Sequence, residues 1–370
     1  MGTAAASAIL KSLAIVLVYA TYIGVANYFL WVQQAGTGIC SDFAPNRVAY
    51  TGIRVFDNLA CIFVTFFTPT FSPSLRPSLR AYALDVAGLV EVILLPLMLD
   101  SASQFPNSRT GAVLAPFITL SFGQLYGLGV SLPIYWLLSY LARTTSRFDG
   151  QPPVRPDETA IRASLFSICF GYILPLAVAI LRVNPYTNAA FQIFPIYVAL
   201  LQSLWFFLFD TRVGPISHKQ VGKAPHTPTY LFIQASYIAV SIVASFAHMP
   251  LLFDILNSPD PLAFMRDSFI PYTGVYTYAS TNELLRIGVA NEIKRFLQWD
   301  AISFGTSSFI TAALAFSDMR ALIPAFLVSL LGYVFIGGPA LVAVPFMYKE
   351  WVDEQKRAIE AQKHRSKRTK

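Results

Sequence analysis

Charge is what this sequence has least of. Asp, Glu, Lys and Arg make up 13% of its 370 residues, about half of the ~25% usual in a soluble domain. The chain is at the same time 55% hydrophobic, so it cannot cover itself with an ordinary solvated surface. That excludes the soluble classes and points to the bilayer. Apolar runs of about 20 residues, long enough to cross a membrane, recur near 7–30, 53–73, 82–100, 113–142, 160–182, 188–209, 229–248, 297–316 and 322–347. They predict an all-α fold, a polytopic transmembrane helical bundle of eight or nine spans. The bundle is expected over 1–348, with 249–296 as an interfacial segment within it, followed by a basic tail over 349–370. The first run has no small-residue cleavage site after it and is read as a retained span.

Several other things are missing. Three cysteines, Cys40, Cys61 and Cys169, give neither a disulfide framework nor paired metal-ligand spacing, and Cys61 and Cys169 read as buried apolar residues. His218, His226, His248 and His364 fall in loops or at ends without His-box spacing, which argues against di-iron desaturases and hydroxylases. There is no DDxxD-like, NSE-like or DxDD motif. The clustered carboxylates that a diphosphate-bound Mg²⁺ needs are therefore not visible. P-loop and dinucleotide fingerprints are absent too, so no metal and no cofactor is expected. The inverted repeat that marks many transporters is also missing.

What charge there is has a pattern. The formal net charge is +7, but the basic residues sit in short loops and at the end of the chain rather than on one folded face, so nucleic acid is not an expected partner. Positive-inside sorting accounts for them better. Arg76 and Arg80, then Arg143, Arg147, Arg155 and Arg162, then Arg212, Lys219 and Lys223 fall in alternate loops, as expected of cytosolic ones. The basic tail conflicts with this count, because three apolar runs separate it from the Arg212–Lys223 loop. Either a late segment fails to cross fully or part of 251–296 makes an extra passage; a cytosolic tail is expected, and its last residues, KRTK, read either as a retrieval signal of the endoplasmic reticulum or as a solvated basic end near anionic lipid.

Against that apolar background, Asp57, Glu91 and Asp300 lie inside stretches that read as buried helix. An acid at the centre of a membrane span costs at least ~2.5 kcal/mol on insertion scales, so it usually faces a protein cavity and has a function. With successive spans alternating in direction and ~1.5 Å of rise per residue, these three and Gln124 are expected in one half of the membrane. Ser121, Gln124, Leu128, Ser131 and Tyr135 share a helical face if 113–142 is one helix. Gln124 serves either interhelical packing or substrate contact. Asp85 and Asp100, near opposite ends of the third run, are expected to reach the interface. Residues 284–296 have helical apolar spacing and are expected to form an amphipathic helix leading into the eighth run. Aromatic residues, 14% of the chain, attract cations over their faces, although Trp and Tyr near span ends also form interfacial belts.

VFDNLACIFVTFFTP, PFITLSFGQLYGLGVSLPIYWLL, FLQWDAISFGTSSFITA and GGPALVAVPFMYKEW together resemble the fungal membrane-integral terpene cyclases of the ascofuranone and ascochlorin (meroterpenoid) type. The likeness runs over nearly the whole chain. It implies a metal-independent enzyme of secondary metabolism. An acid protonates the epoxide of a prenylated substrate, the alkene chain attacks, and a base or an internal hydroxyl ends the carbocation cascade. On this resemblance Asp57, Glu91 and Asp300 are the expected acid and base set, with Gln124, Tyr126, Tyr135 and Trp299 around the substrate. The partners expected are the bilayer and a lipophilic prenylated small molecule, with no obligate protein partner. Two other classes use the same residues: a proton-coupled transporter or lipophilic-ligand-binding protein, and an accessory protein whose acids only pair helices.

Overall fold

A computed structural model of the chain describes residues 51–53, single positions between 57 and 71, and residues 77–146, 155–210, 228–271, 282–313 and 322–368. Every regular element among them is helical. In chain order these are α1 (Pro77–Gln104), α2 (Arg109–Tyr126), α3 (Leu128–Ser146), α4 (Glu158–Ile168), a π-helix (Cys169–Ile173), α5 (Leu174–Leu181), α6 (Pro185–Gln192) and α7 (Phe194–Phe209). They continue with α8 (Pro228–Asn257), α9 (Pro261–Phe269), α10 (Asn282–Ala313), α11 (Leu322–Ile336), α12 (Gly338–Leu341) and α13 (Ala343–Arg368).

Three stretches are long and apolar enough to cross a membrane: Leu79–Gln104, Glu158–Leu181 and Pro228–Asn257. Pro185–Gln192 and Phe194–Phe209 pass together as a fourth, bent by 54°. Shorter apolar helices cover Leu128–Ala142 and Pro324–Ile336. The outer surface is apolar, with Leu181, Phe207, Phe246, Val328 and Phe335 all more than 60% exposed. A soluble monomer rarely shows so broad an apolar surface. Lipid is the solvent that suits it.

Helix α1 is the axis of the bundle. Both its faces are buried, from Leu79 to Leu99, and it packs against α8, α2, α10 and α4. Contacts along it fix the direction of its neighbours. Gln104 and Asp100 meet Ser139 of α3, whereas Gly129, at the start of α3, meets Asp300 of α10. Further along the same two helices, Trp136 donates to Ser308. Helices α3 and α10 therefore run parallel to α1.

Two features of the sequence reading change here. The run 113–142 is not one helix. It reverses at Gly127, whose φ of 92° lies in the region that glycine enters without steric cost, and Gly123 packs against Leu128 and Ser131 across the reversal. The face expected to join Gln124 to Tyr135 is thereby broken. The run 322–347 also reverses, at Gly337 with φ 69°. After that turn Gly338 meets Leu89, and Phe346 meets Trp136 with ring centroids 5.5 Å apart. Hydropathy is blind to both turns because apolar residues flank them.

The second reversal removes the charge conflict. It adds one traverse, so the basic end of α13 returns to the end of the bundle that carries Arg109, Arg155, Asp157 and Asp210. Arg155 there pairs with Glu354 of α13. Helix α13 runs unbroken from Ala343 to Arg368, so the tail is the outer part of a helix rooted in the bundle. Arg80, at the start of α1, sits at the opposite end, contrary to the alternate-loop reading.

Arg109 ties this basic end together. Its guanidinium lies 2.7 Å from Asp210 and 2.9 Å from Asp157 and covers the Phe206 ring at 4.4 Å. Asp157 also accepts from Ala160 N at 2.8 Å and so caps α4. Charge-assisted bonds of this kind contribute about 1.5–3 kcal/mol each when partly buried. Arg109→Ala is expected to destabilise the protein by about 2–3 kcal/mol. Thermal unfolding in detergent checks it, and an unchanged midpoint would show that the staple is idle.

The helix expected before the eighth run is found as the first half of α10, which continues as a single helix from Asn282 to Ala313. Cys61 is buried as expected but disulfide-bonded, its partner lying outside the described residues, and Cys169 is corrected to an exposed free thiol.

Candidate functional site at the hairpin tips

The two hairpins, α2–α3 and α11–α13, turn at the same end of the bundle, and an acid meets each turn. Asp300 of α10 accepts from Gly129 N at 2.5 Å, while Ser303 donates to Gly129 O at 2.5 Å. The start of α3 is thus capped from another helix, in the way that backbone N–H groups at a helix start receive an acceptor. At the other turn, Gly337 lies against His248 and Asp85.

Asp85, 1% exposed, has both oxygens engaged. Oδ1 is 2.8 Å from His248 Nδ1, and Oδ2 accepts from the Tyr333 hydroxyl at 2.6 Å. His248, fully buried, places Nε2 2.9 Å from Val334 O. A carbonyl only accepts, so Nε2 carries a hydrogen. One further proton then lies between Nδ1 and Oδ1, on the imidazole or on the carboxyl. In either arrangement the pair is neutral overall, which lets it sit deep in an apolar bundle.

Tyr82, also buried, lies within electrostatic range of both Asp85 and Asp300 and of Tyr333. Both acids thus lie at the same end of the bundle. Phe269 of α9 stands edge-on to both tyrosines, 6.5 Å from Tyr82 and 5.6 Å from Tyr333. Gln298 holds that helix end by donating to Asp267 O and Ser268 O at 2.7 Å. The result is a proton shared by an acid and an imidazole, two phenols and a second carboxyl, assembled from α1, α8, α10 and α11.

The expected site residues are distributed differently. Asp300 belongs to this centre, with half-buried Trp299 beside it in the chain. Glu91 is 2% exposed but lies near Cys169 and Tyr172 of the π-helix. Asp57 is half-buried and accepts from Thr51 N and Oγ1 at 2.8 and 2.9 Å, a local arrangement at a helix start. Gln124 is half-buried near the Gly127 turn. Tyr126 is 36% exposed and rests on Phe122 at 4.6 Å. Tyr135 donates to Asp100 at 3.0 Å, about 22 Å along α1 from Asp85 at the usual helical rise. There Asp100 Oδ2 also accepts from Gln104 and Ser139 at 2.6 and 2.7 Å.

Asp85, His248, Tyr333 and Tyr82 were the residues that sequence reasoning missed. Asp85 and Asp100 do not reach the interface; both are buried, because α1 is enclosed along its length. His248 is not in a loop. Helix α8 continues through Pro250 to Asn257, and an internal proline is tolerated where neighbouring helices satisfy the freed groups. An ionisable residue within SFAHMPLLF was the available signal.

Embedded acids and histidines in a helical membrane protein usually mark function. More particularly, the chain belongs to the CtvD domain family, matched over residues 5–351, a family of meroterpenoid-cyclase type. No curated protein and no solved structure matches it.

Proposed function

We propose that the protein is an intramembrane terpene cyclase, of the fungal ascofuranone type of meroterpenoid enzyme, acting on an epoxidised prenyl chain. The observation that carries this reading is the buried Asp85–His248 pair with one proton between them, set against the Gly337 turn at the end of the bundle where Asp300 meets the start of α3. In the reaction, Tyr82 donates a hydrogen bond to the epoxide oxygen, while Tyr333 keeps its hydrogen on Asp85 Oδ2. The proton shared by Asp85 and His248 is delivered to that oxygen as the C–O bond breaks. An alkene carbon forms the new C–C bond, and the resulting cation loses a proton to Asp300, or is trapped by an internal hydroxyl whose proton goes there. The substrate gains and loses one proton, and the proton on Asp300 returns to the Asp85–His248 pair before the next turnover. The proton comes from side chains, so a metal has no part in this scheme.

Paired acid and base groups held in different environments are the usual basis for both roles in one site. Of the three acids expected from sequence, Asp300 keeps its role, and Asp57, engaged by Thr51, is left out. Positive-inside sorting places the basic end, with the tail, in the cytosol, and the hairpin tips toward the lumen of the endoplasmic reticulum. The disulfide at Cys61 suits an oxidising compartment.

A proton-coupled transporter is the second reading, favoured by one observation: each of two helix reversals faces an embedded acid, as the broken helices of transporters do. The two readings separate in microsomes supplied with an epoxidised farnesyl-phenol. The cyclase gives a product of unchanged mass and altered retention, and Asp300→Asn, at normal protein level, loses at least ~10²-fold in product formation. Absence of product from wild type across a panel of such epoxides would sink the cyclase reading.

A further inference from the structure

Glu91 lies outside the hairpin-tip centre and differs from it in kind. Six residues separate it from Asp85, which on a helix turns the side chain about 120° away to another face. It is 2% exposed, and its Oε1 finds no hydrogen-bond partner. Asp85, Asp100 and Asp300 all have donors on a carboxylate oxygen. A carboxyl oxygen buried without a donor stabilises nothing in the fold, since desolvation is not offset. Such a group is retained for something other than packing.

The wall opposite Glu91 is the π-helix Cys169–Ile173, a widened turn of the type that often marks functional sites. Cys169 and Tyr172 are both within electrostatic range of Glu91. Tyr172 donates to Ala87 O at 2.9 Å, one turn from Glu91 along α1, which fixes its ring. That ring stands 5.8 Å from Phe191 and 5.0 Å from Phe194, forming an aromatic wall. On the outer side of the same turn Cys169 is exposed, and so is Phe170, at 52%. Glu91 therefore sits one layer of side chains inside the apolar outer surface, beneath a turn wider than its neighbours.

We propose that Glu91 is the polar anchor of a lateral subsite under the π-helix, which takes the hydroxyl of a neutral lipophile arriving from the bilayer. The free Oε1 accepts the hydroxyl hydrogen. Tyr172, Phe191 and Phe194 receive the adjoining unsaturated chain. The subsite goes beyond the cyclisation scheme, because it holds a ligand on a different face of α1 and uses none of the hairpin-tip residues.

The test uses the purified full chain in detergent, its melting followed by tryptophan fluorescence, with farnesol as the probe and the saturated hydrocarbon farnesane as control. Without ligand, Glu91→Leu is expected to melt above wild type by about 2–4 °C, because an unsatisfied polar group has been removed. Farnesol is expected to raise the melting temperature of wild type in a concentration-dependent way and to leave Glu91→Leu unmoved. Glu91→Gln, which keeps a hydrogen-bonding oxygen, retains most of the shift.

A Glu91→Leu protein that melts below wild type or has no cooperative melt, an equal farnesol shift in both proteins, or an equal shift from farnesane overturns the proposal. Labelling of Cys169 by N-ethylmaleimide in wild type gives a check free of substitutions at Glu91: farnesol slows it severalfold, and an unchanged rate also overturns the proposal. Neither readout involves an epoxide. Failure here therefore leaves the cyclisation assay standing, and failure of that assay leaves this result standing.

Discussion

Asp85→Asn is expected to abolish product formation while leaving the protein folded. In the native centre Oδ2 accepts from Tyr333 and Oδ1 faces His248 Nδ1, with one proton between them. Asparagine reproduces the protonated form of that pair. Its amide N–H donates to Nδ1, its carbonyl accepts from Tyr333, and His248 still donates to Val334 O. Every hydrogen bond survives, but the proton can no longer be released to a substrate. Loss of a positioned proton donor costs about 10²–10⁴-fold in rate, and the melting temperature should stay within a few degrees of wild type. Asp85→Ala differs in kind, because it leaves buried His248 Nδ1 and the Tyr333 hydroxyl without their acceptor, at a cost of about 1–3 kcal/mol for each orphaned group. Measuring both variants for product and for melting separates chemistry from scaffold. If Asp85→Asn turns over at the wild-type rate, the shared proton is not the one used.

Some of this was legible in the sequence, for identifiable reasons. Hydropathy reports whether a residue is in an apolar run, so it found the helices among the described residues, the run 7–30 lying outside them, and marked Glu91 and Asp300 as embedded. It does not report where an apolar run turns round, so Gly127 within YGLG and Gly337 within IGGP were read through. The second carried a usable signal, since Gly-Gly-Pro punctuates a chain even in an apolar context. Missing that turn also produced the false conflict between the tail and the Arg212–Lys223 loop. Asp85 was set aside because position along a run was taken as depth. Its burial follows from tertiary enclosure of α1, which a single sequence does not encode locally. The pairing of Asp85 with His248, 163 residues apart, is of the same kind.

The turn that sequence reading missed is also where one methyl group should do most damage. Gly337 holds φ 69°, and a Cβ built on it would come within 2.8 Å of both Cβ and Cγ of His248 and 3.0 Å of Asp85 Oδ1. Gly337→Ala therefore adds two effects. The left-handed backbone costs an L-residue about 1–2 kcal/mol, and the clash must displace either the imidazole or the hairpin. Gly52 supplies the control. It has φ 74° but nothing within 4 Å of a built Cβ, so Gly52→Ala carries the backbone cost alone. Gly52→Ala is expected to lose about 1 kcal/mol with turnover intact, whereas Gly337→Ala should lose about 3 kcal/mol or more. Its residual folded fraction should turn over at least ~10²-fold more slowly, because moving His248 breaks the shared-proton geometry on which the acid step depends. Equal effects from the two substitutions would mean that only the backbone matters at Gly337, and that the contact between the hairpin tip and His248 is incidental to activity.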